Sequence, residues 1–410
     1  MDRKHENEFT RRHFVSLLGA TGAALGLPLG AGADATPAAD ADRVIPGFEA
    51  PASAHESADE WQPYSDRRVR VGIAGYGYCK FGAAFGFQNH PNVEVVAVTD
   101  LIPQRRDELA ERCGCDTTYP SCEEMIKDDR IEAVFLATDA PSHARLSIAA
   151  LRHGKHVGTA VPAVWGRDQM DLADELLETV RATRLKYMMF ETSCFHAPLY
   201  AWHKRYLAGQ LGKVVYCEGE YYHFNAEALP GYNPATNDVD QEGWRNGAPP
   251  QWYPTHATAY YVGVTGGAFT EVSCLGMPSH LPRFQPGNNP YENPFGTEVA
   301  LYRTSDGGMA RMAESRDMPA AKGEMGRVYG QQDLEGGVNT ARPPLPPGVM
   351  AGGHGGSHGN LMNEFVEAIV QERDPWLDVA HALNMTVPGI IAHESALRDG
   401  EWMKVPRFHL

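Results

Sequence analysis

The chain has 410 residues, enough for two or three domains, and a formal net charge of −16 at pH 7. Binding to a nucleic acid needs clustered Lys and Arg, so this acidic balance argues against a nucleic-acid partner. Beyond the N-terminal region no apolar run is long enough to span a membrane. We therefore expect a globular protein that handles a small neutral or cationic molecule.

The first 33 residues resemble a twin-arginine export signal. Residues 10–15 (TRRHFV) carry paired arginines, residues 17–29 are apolar and rich in Gly and Ala, and residues 31–33 (AGA) are small, as at a cleavage site. An amphipathic helix is the alternative, but each glycine in it would cost about 1 kcal/mol relative to alanine. We predict a signal peptide over 1–33 that leads to the periplasm or another exported location, and a linker over 34–66.

Residues 69–100 have the order of parts of a dinucleotide-binding βαβ unit. An apolar run rich in β-branched residues enters a turn at Gly75, Tyr76 and Gly77, and a helical segment and a second apolar strand follow. Glycines let the backbone approach a pyrophosphate, and the N-terminus of the helix offers free N–H groups to it. The third glycine of the fingerprint is replaced by Lys80, so we expect an altered turn.

Asp100 ends the second strand, Val93–Thr99, and indicates which cofactor binds. It lies 23 residues after Gly77, near the spacing of about 20 at which a carboxylate binds the ribose hydroxyls of NAD. A carboxylate also repels a 2′-phosphate, so the sequence favours NAD over NADP. Arg105 and Arg106 follow closely, however, and could bind that phosphate.

Strands and helices keep alternating up to residue 190, which predicts a parallel sheet. We place strands at 133–137, 155–158 and 186–190 and a helix at 168–184. Ligands bind at the carboxyl ends of parallel strands. The residues that we expect near the cofactor for this reason are Thr138, His143, Val161, Pro162 and Glu191. A helix-capping role is the alternative for Glu191.

After residue 195 the pattern changes to alternating, aromatic-rich strands. The predicted elements are helices at 197–208, 360–371 and 378–398 and strands at 214–223, 269–275, 298–304, 308–314 and 325–329. The predicted fold class is α/β, with an N-terminal Rossmann dinucleotide-binding domain over 67–195. A C-terminal α+β domain over 196–410, with a large, mainly antiparallel sheet, would bind the substrate.

No spacing of cysteines or histidines predicts a metal site. Cys113, Cys115 and Cys122 could bind a metal or form a disulfide, but scattered buried thiols are the commoner arrangement. His354 and His358 could also be metal ligands. The glycines around them favour a flexible loop beside the substrate instead.

One segment carries a resemblance to a known superfamily. Residues 150–157 (ALRHGKHV) are similar to the A-L-x-x-G-K-H-V segment of the Gfo/Idh/MocA oxidoreductases. The E-K-P that usually follows there contains the catalytic lysine of the dehydrogenases, but this chain has residues 160–162 (AVP), so the lysine is absent. A later D-x-G-x-H-x-x-D element keeps His256 but has Trp252 and Ala259 in place of carboxylates.

With these departures the chain resembles one branch of the superfamily, the NAD-dependent glycosidases related to α-N-acetylgalactosaminidase. The segments similar to that branch are, in order, 187–191 (YMMFE), 220–223 (EYYH), 253–256 (YPTH), 293–295 (NPF) and 352–356 (GGHGG). That branch also has V-P in place of K-P, but with a preceding glutamate where this chain has Ala160.

The resemblance implies a glycosidase that acts on a small carbohydrate with tightly bound NAD, recycled in each turnover. In that branch the C3 hydroxyl of the sugar is oxidised, the C1 substituent is eliminated after loss of the C2 proton, water adds, and the hydride returns. An exported enzyme has no pool of free NAD, so recycling also agrees with the export signal. Relatives pair through the sheet of the second domain, which implies a dimer or tetramer.

The catalytic residues that the resemblance implies are Tyr221, His223, Tyr253 and His256. Neighbours on a strand point to opposite faces, so Tyr221 and His223 share a face and Tyr222 points away. Tyr253 and His256 fall in a proline-bearing segment that we expect to be a loop facing the cleft. With an unperturbed pKa near 6.5, a histidine suits proton transfer at neutral pH.

Two other functions stay open. A sugar oxidoreductase that passes hydride between two sugars also fits export, although the missing lysine argues against it. A non-catalytic sugar-binding relative is the third possibility, and the retained Tyr221, His223 and His256 argue against that one.

Overall fold

The structure is a computed structural model that describes residues 60–224, 231–233, 238–240, 243–321 and 323–410. The predicted export signal and most of the predicted linker lie outside these residues and stay predictions. The last residues of that linker are described. Trp61 Nε1 donates to a carboxylate oxygen of Glu367 at 3.1 Å, and the Ser65 carbonyl accepts a hydrogen bond from Asn92 Nδ2 at 2.7 Å.

The first half of the described chain contains a parallel sheet. Its strands are β1 (Val69–Ala74), β2 (Val93–Thr99), β3 (Thr118–Tyr119), β4 (Ala133–Leu136), β5 (His156–Thr159) and β6 (Tyr187–Met189). Their spatial order, β3-β2-β1-β4-β5-β6, is that of a doubly wound dinucleotide-binding fold. Sequence analysis missed β3, because two residues are too short to show an alternation.

Helices cover both faces of this sheet. They are α1 (Phe81–Ala84), α2 (Pro103–Cys113), α3 (Cys122–Met125), α4 (His143–Arg152) and α5 (Met170–Thr183). Every residue of β4 is buried, and β1 is buried except at Arg70. Such continuous apolar runs are what a sheet needs when water reaches neither face.

The second half contains a mixed sheet. Its elements are α6 (Ala197–Leu207), β7 (Val214–Tyr222), β8 (Gly231–Asn233), β9 (Asp238–Asp240), α7 (Thr255–Thr265), β10 (Phe269–Pro278), β11 (Phe295–Thr304), β12 (Met309–Ser315), β13 (Gly323–Gly330), α8 (His358–Val370), α9 (Val379–Ala396) and β14 (Met403–Lys404). The strand order is β13-β7-β12-β11-β10-β14, and β8 pairs with β9 separately. Only the β7–β12 pair of the larger sheet is parallel.

This architecture confirms the predicted fold class, a Rossmann sheet followed by a mainly antiparallel sheet with helices. The predicted boundary between residues 195 and 196 falls between β6 and β7 and remains a prediction. None of the helices in the described ranges has the length and apolar character needed to cross a membrane.

The predicted loop around His256 was wrong, because this residue lies in the first turn of α7. Almost the whole helix is buried, so its sequence carries no amphipathic pattern that would have marked it. It packs closely on β7 at Gly219, where a Cβ would stand 2.2 Å from the carbonyl oxygen of Ala257. Only glycine permits this approach, and it brings His256 next to Tyr221.

Candidate active site

A cleft of about 1100 Å³, part of it open to solvent, lies at the carboxyl ends of β1, β2 and β4. This is the edge at which ligands bind in doubly wound folds. Six of the predicted cofactor residues line it, namely Gly75, Gly77, Asp100, Thr138, His143 and Val161.

The glycine turn fits the pyrophosphate of a dinucleotide. Gly75 has φ +99°, and a Cβ there would lie 2.4 Å from the carbonyl oxygen of Ala137, so no other residue can replace it without strain. At Gly77 no atom lies within 4 Å of a Cβ position, which leaves open space above the turn. The residues present therefore suit close approach of a phosphate.

The missing third glycine is compensated in two places. Lys80 itself adopts the left-handed conformation, with φ 54°, and its Nζ lies 3.0 Å from a carboxylate oxygen of Glu108. Gly82 takes over the close packing of helix on turn, because a Cβ there would lie 2.3 Å from the carbonyl oxygen of Gly75. The turn is altered in sequence, as predicted, yet it keeps its compact packing.

Asp100 is held at the edge of the cleft by two backbone groups. Its Oδ2 accepts from the N–H of Tyr76 at 2.7 Å, and its Oδ1 accepts from the N–H of Ile102 at 2.9 Å. A fixed carboxylate at this place suits ribose hydroxyls. Arg105 lines the cleft too, whereas Arg106 is absent from its lining, so Arg105 is the arginine placed to meet a 2′-phosphate.

Three of the predicted cofactor residues do not line the cleft. The side chain of Tyr76 is buried, and its peptide N–H supports Asp100. The carbonyl oxygen of Pro162 lies 2.9 Å from Nδ1 of His143. Glu191 is fully buried away from the cleft and bonded to His256. Their roles as cofactor ligands remain predictions.

The four predicted catalytic residues gather into one cluster. The Tyr221 ring centroid lies 4.6 Å from that of His256, 5.8 Å from that of His223 and 6.2 Å from that of Tyr253. Tyr253 also lines the cleft, so the cluster adjoins the predicted cofactor position. As predicted from strand alternation, Tyr221 and His223 lie on the same side of the chain.

His256 forms a buried ion pair with Glu191, which caps the short turn after β6. Nδ1 of His256 lies 2.7 Å from Oε1 of Glu191, and both side chains are at most 2% exposed. Burial by itself lowers the pKa of His256, but Glu191 and Glu324 outweigh it and raise that pKa to about 9. The pKa of Glu191 is lowered, because His256 outweighs the opposite effect of burial. At neutral pH His256 is therefore an imidazolium that can donate a proton.

The surroundings of His223 and Tyr221 shift their pKa values so that both side chains are neutral at neutral pH. Burial, and then the positive charge of Arg316, lower the pKa of His223 to about 3, so its imidazole is neutral. Burial raises the pKa of Tyr221 well above its usual value, against the opposing effect of Arg316, whose guanidinium carbon lies 4.8 Å from the centre of the tyrosine ring. Tyr221 therefore keeps its hydroxyl proton at neutral pH.

Sequence reasoning missed four polar residues of this cluster, namely Ser193, Glu314, Arg316 and Glu324. Ser193 Oγ lies 3.3 Å from Nδ1 of His256 and donates to Oε2 of Glu324 at 2.6 Å. Glu314 is fully buried beside Arg316, and burial raises its pKa well above the usual range. The acids on β12 and β13 were the signal that could have found Glu314 and Glu324, because a buried carboxyl group is costly without a function or a partner.

The cleft also holds an arginine that sequence analysis did not single out. Arg245 lies over the ring of Trp244 at 4.0 Å, and both residues line the cleft with Tyr253. The salt bridges of the described residues include none to Arg245. Its guanidinium can therefore donate to oxygens of a ligand.

The described residues contain no group of three or more His, Cys, Asp or Glu side chains arranged to hold a metal ion. The seven cysteines all have free thiols, and every one except Cys79 is buried.

Comparison with known proteins shows which family the Rossmann region resembles. Residues 69–190 match the family model GFO_IDH_MocA, described as an oxidoreductase family with an NAD-binding Rossmann fold. Levoglucosan dehydrogenase in complex with NADH and levoglucosan has the same overall fold, with a TM-score of 0.66 over 83% of this chain and 100% of that one at 16% identity. A scyllo-inositol dehydrogenase from Lactobacillus casei gives a TM-score of 0.60 over 82% and 99%, at 15% identity.

Curated relatives show a second similarity, to glycosyl hydrolase family 109. Glycosyl hydrolase family 109 protein 1 of Bacteroides fragilis is 30% identical over 173 residues, which are 40% of this chain and only 37% of that relative. A family 109 protein of Saccharopolyspora erythraea is 23% identical over an alignment that covers 99% of this chain and 95% of its own length. Residues 69–190 thus match a Gfo/Idh/MocA-type NAD-binding Rossmann fold, and the resemblance to glycosyl hydrolase family 109 is confirmed.

Proposed function

We propose that the protein is an NAD-dependent glycoside hydrolase that oxidises its sugar transiently at C3. Elimination of the C1 substituent, addition of water and re-reduction complete a redox-neutral cycle. One observation carries the proposal: the proton-donating His256 stands beside Tyr221 and Tyr253 at the edge of the dinucleotide cleft. The family 109 relatives support it.

The dinucleotide cleft suits a cofactor that stays bound through the cycle. Gly75, Gly77 and Asp100 would hold NAD, which supplies hydride acceptor and donor chemistry when bound. Ala160 and Val161 line the cleft in the segment where the dehydrogenases of the superfamily carry their lysine. This chain therefore lacks that ammonium group, which favours a glycosidase over an ordinary dehydrogenase.

Proton transfer depends on buried residues whose pKa values are shifted from their usual ranges. His256, with its pKa raised to about 9, donates a proton to the oxygen of the leaving group. Its Nε2 is buried and has no hydrogen-bond partner among the described residues, so it can meet a ligand. The protonated Tyr221 hydroxyl and the guanidinium of Arg245 donate hydrogen bonds that orient the sugar.

The first test needs no added nucleotide. We would purify the protein, detect bound NAD by mass spectrometry, and then measure release of nitrophenol from a panel of p-nitrophenyl glycosides. Bound NAD with release supports the glycosidase. Bound NAD without release from any glycoside would instead favour hydride transfer between sugars, and protein without nucleotide would favour a sugar-binding relative.

Two variants test the active-site assignment. Tyr221→Phe and His223→Gln should each reduce turnover by about 100-fold or more while the cofactor stays bound, because both lie in the cluster and neither lines the cleft. His409→Gln, at an exposed position near the C-terminus, is the control. Full activity in both variants would overturn the assignment.

A further inference from the structure

The helix that follows the glycine turn, α1, has only four residues. Phe85 is its C-terminal cap, Gly86 follows in the left-handed conformation with φ 81°, and a separate 3-10 turn begins at Phe87. The N-terminus of a helix attracts a phosphate because many aligned peptide dipoles add up there. One turn of helix supplies few of them, so α1 can neutralise little of the charge of a pyrophosphate.

The backbone of the glycine turn uses some of its own N–H groups inside the protein. The N–H of Tyr76 donates to Oδ2 of Asp100 at 2.7 Å, and the N–H of Lys80 donates to the carbonyl of Gly77 at 3.0 Å. Neither group is therefore free for a phosphate. The first bond also fixes a carboxylate beside the turn, and a carboxylate repels a pyrophosphate. The turn therefore needs a cation to hold a dinucleotide firmly.

Lys80 is the cation that the turn itself carries. It stands at the position of the third glycine of the fingerprint, immediately before α1, and it lines the cleft. Its Nζ lies 4.0 Å from the centroid of the Tyr76 ring, and this ring is buried. The ring therefore supports the ammonium group from the protein side. The side chain of Lys80 is exposed, so its ammonium group can reach a ligand in the cleft.

Three arginines line the cleft as well, but each belongs to another segment of the chain. Arg105 lies on α2, Arg145 lies on α4, and Arg245 precedes α7. Arg145 is already engaged in an ion pair with Glu123 at 2.7 Å. The glycine turn, where the fold places the pyrophosphate, thus has Lys80 as its own positive charge.

The ammonium group of Lys80 is bound to Glu108 of α2. Nζ lies 3.0 Å from Oε2 of Glu108, and the two side chains are 46% and 44% exposed. The hydrogen bond from Lys80 and its charge lower the pKa of Glu108, so this carboxylate is ionised at neutral pH. An ion pair that is open to water is weak. A pyrophosphate carries two negative charges, so Lys80 can exchange Glu108 for the cofactor.

We propose that Lys80 and Glu108 form an exchangeable ion pair that sets the affinity for the dinucleotide. Lys80 binds the pyrophosphate of NAD, and Glu108 takes Lys80 back when the site empties. The inference rests on the proposed function only in taking NAD as the ligand. Lys80 then favours cofactor binding and Glu108 opposes it. Loss of a salt bridge that only supported the fold would instead affect binding in the same direction from either side.

Equilibrium dialysis of the full chain against NAD tests these opposite effects. Lys80→Met keeps the length of the side chain without its charge and should weaken NAD binding by about tenfold or more. Lys80→Arg should keep most of the affinity. Glu108→Gln removes the competing charge and should strengthen binding by about two- to fivefold. Lys127→Met is the matched control, because Lys127 is an exposed lysine paired with Glu124 outside the lining of the cleft.

Salt concentration gives a second readout, because salt screens a charge contact that is open to water. Added salt should weaken NAD binding to the wild type more than to Lys80→Met. Wild-type affinity in Lys80→Met, weaker binding in Glu108→Gln, or an equal effect of salt on both proteins would overturn the inference and leave the proposed function intact. A wild type that binds no NAD would overturn the proposed function and this inference together.

Discussion

His256 and His223 lie in the same buried cluster but hold opposite charge states at neutral pH. Two carboxylates, Glu191 and Glu324, overcome burial and raise the pKa of His256 to about 9. His223 has the cation Arg316 near it, which adds to burial and lowers its pKa to about 3. Titratable groups whose environments separate their pKa values in this way mark the acid and base positions of a site.

Glu191→Gln tests the ion pair at this residue scale. A histidine with a raised pKa adds stability that is fully present below its unfolded pKa of 6.5 and is lost as the pH rises through about 9. We expect the variant to lose about 3 kcal/mol of unfolding free energy at neutral pH. The decline in stability between neutral pH and pH 9, present in the wild type, should be smaller in the variant.

Urea unfolding at a series of pH values measures both effects, with Glu178→Gln, at an exposed helical position, as the control. The alkaline limb of the turnover profile should also move to lower pH, because burial alone lowers the pKa of His256. An unchanged pH dependence of stability in Glu191→Gln would contradict the ion pair.

At the scale of elements, the two glycines of the turn between β1 and α1 have different roles: Gly75 is needed for packing, and Gly77 leaves space for a ligand. Gly75→Ala would push a Cβ to 2.4 Å from the carbonyl of Ala137, so we expect a loss of about 2 kcal/mol or more in stability together with loss of bound NAD. Gly77→Ala meets open space and should leave the thermal stability of the apoprotein nearly unchanged. It should still weaken NAD binding, because its methyl group enters the space predicted for the phosphate. Differential scanning fluorimetry and isothermal titration with NAD measure the two effects, and equal destabilisation by both changes would contradict this separation.

Some secondary-structure elements can be predicted from their local sequence pattern, and others cannot. Apart from the two-residue β3, the strands of the Rossmann sheet were predicted to within a residue or two, because each is a short apolar run between turn residues. Helix α7 was missed because burial on every side removes the amphipathic period. The spacing of Asp100 placed it in the cleft, but Glu191 was assigned to the cofactor because its partner, His256, is 65 residues away in sequence. Contacts between distant elements leave no local pattern.

At the scale of the whole molecule, helices cover one face of the second sheet, and in the described part of the chain the other face carries exposed side chains. Helices α7 and α9 pack against β7 and β10. On the other face, Leu275 and Leu301 are 67% and 52% exposed. The register places Leu301 opposite Arg311 of β12, and Arg311 opposite Glu218 of β7. Arg311 bonds to Glu218 at 3.0 Å and to Glu220, so acids and a base share the face with the leucines.

This mixed face suits a second copy of the chain. A twofold axis places the same patch on both subunits, so acids of one subunit can meet bases of the other while the leucines pack together. We predict a dimer through this face. Leu301→Glu would bury a charge in the interface and should yield monomers, whereas Leu207→Glu, at a leucine on α6 that is 66% exposed, should stay dimeric. Light scattering coupled to gel filtration measures the mass, and a dimeric Leu301→Glu or a monomeric wild type would contradict this interface.

The same β7 carries Tyr221 on its inner face. The monomeric variant should therefore also turn over more slowly, because its catalytic strand loses the support of the partner.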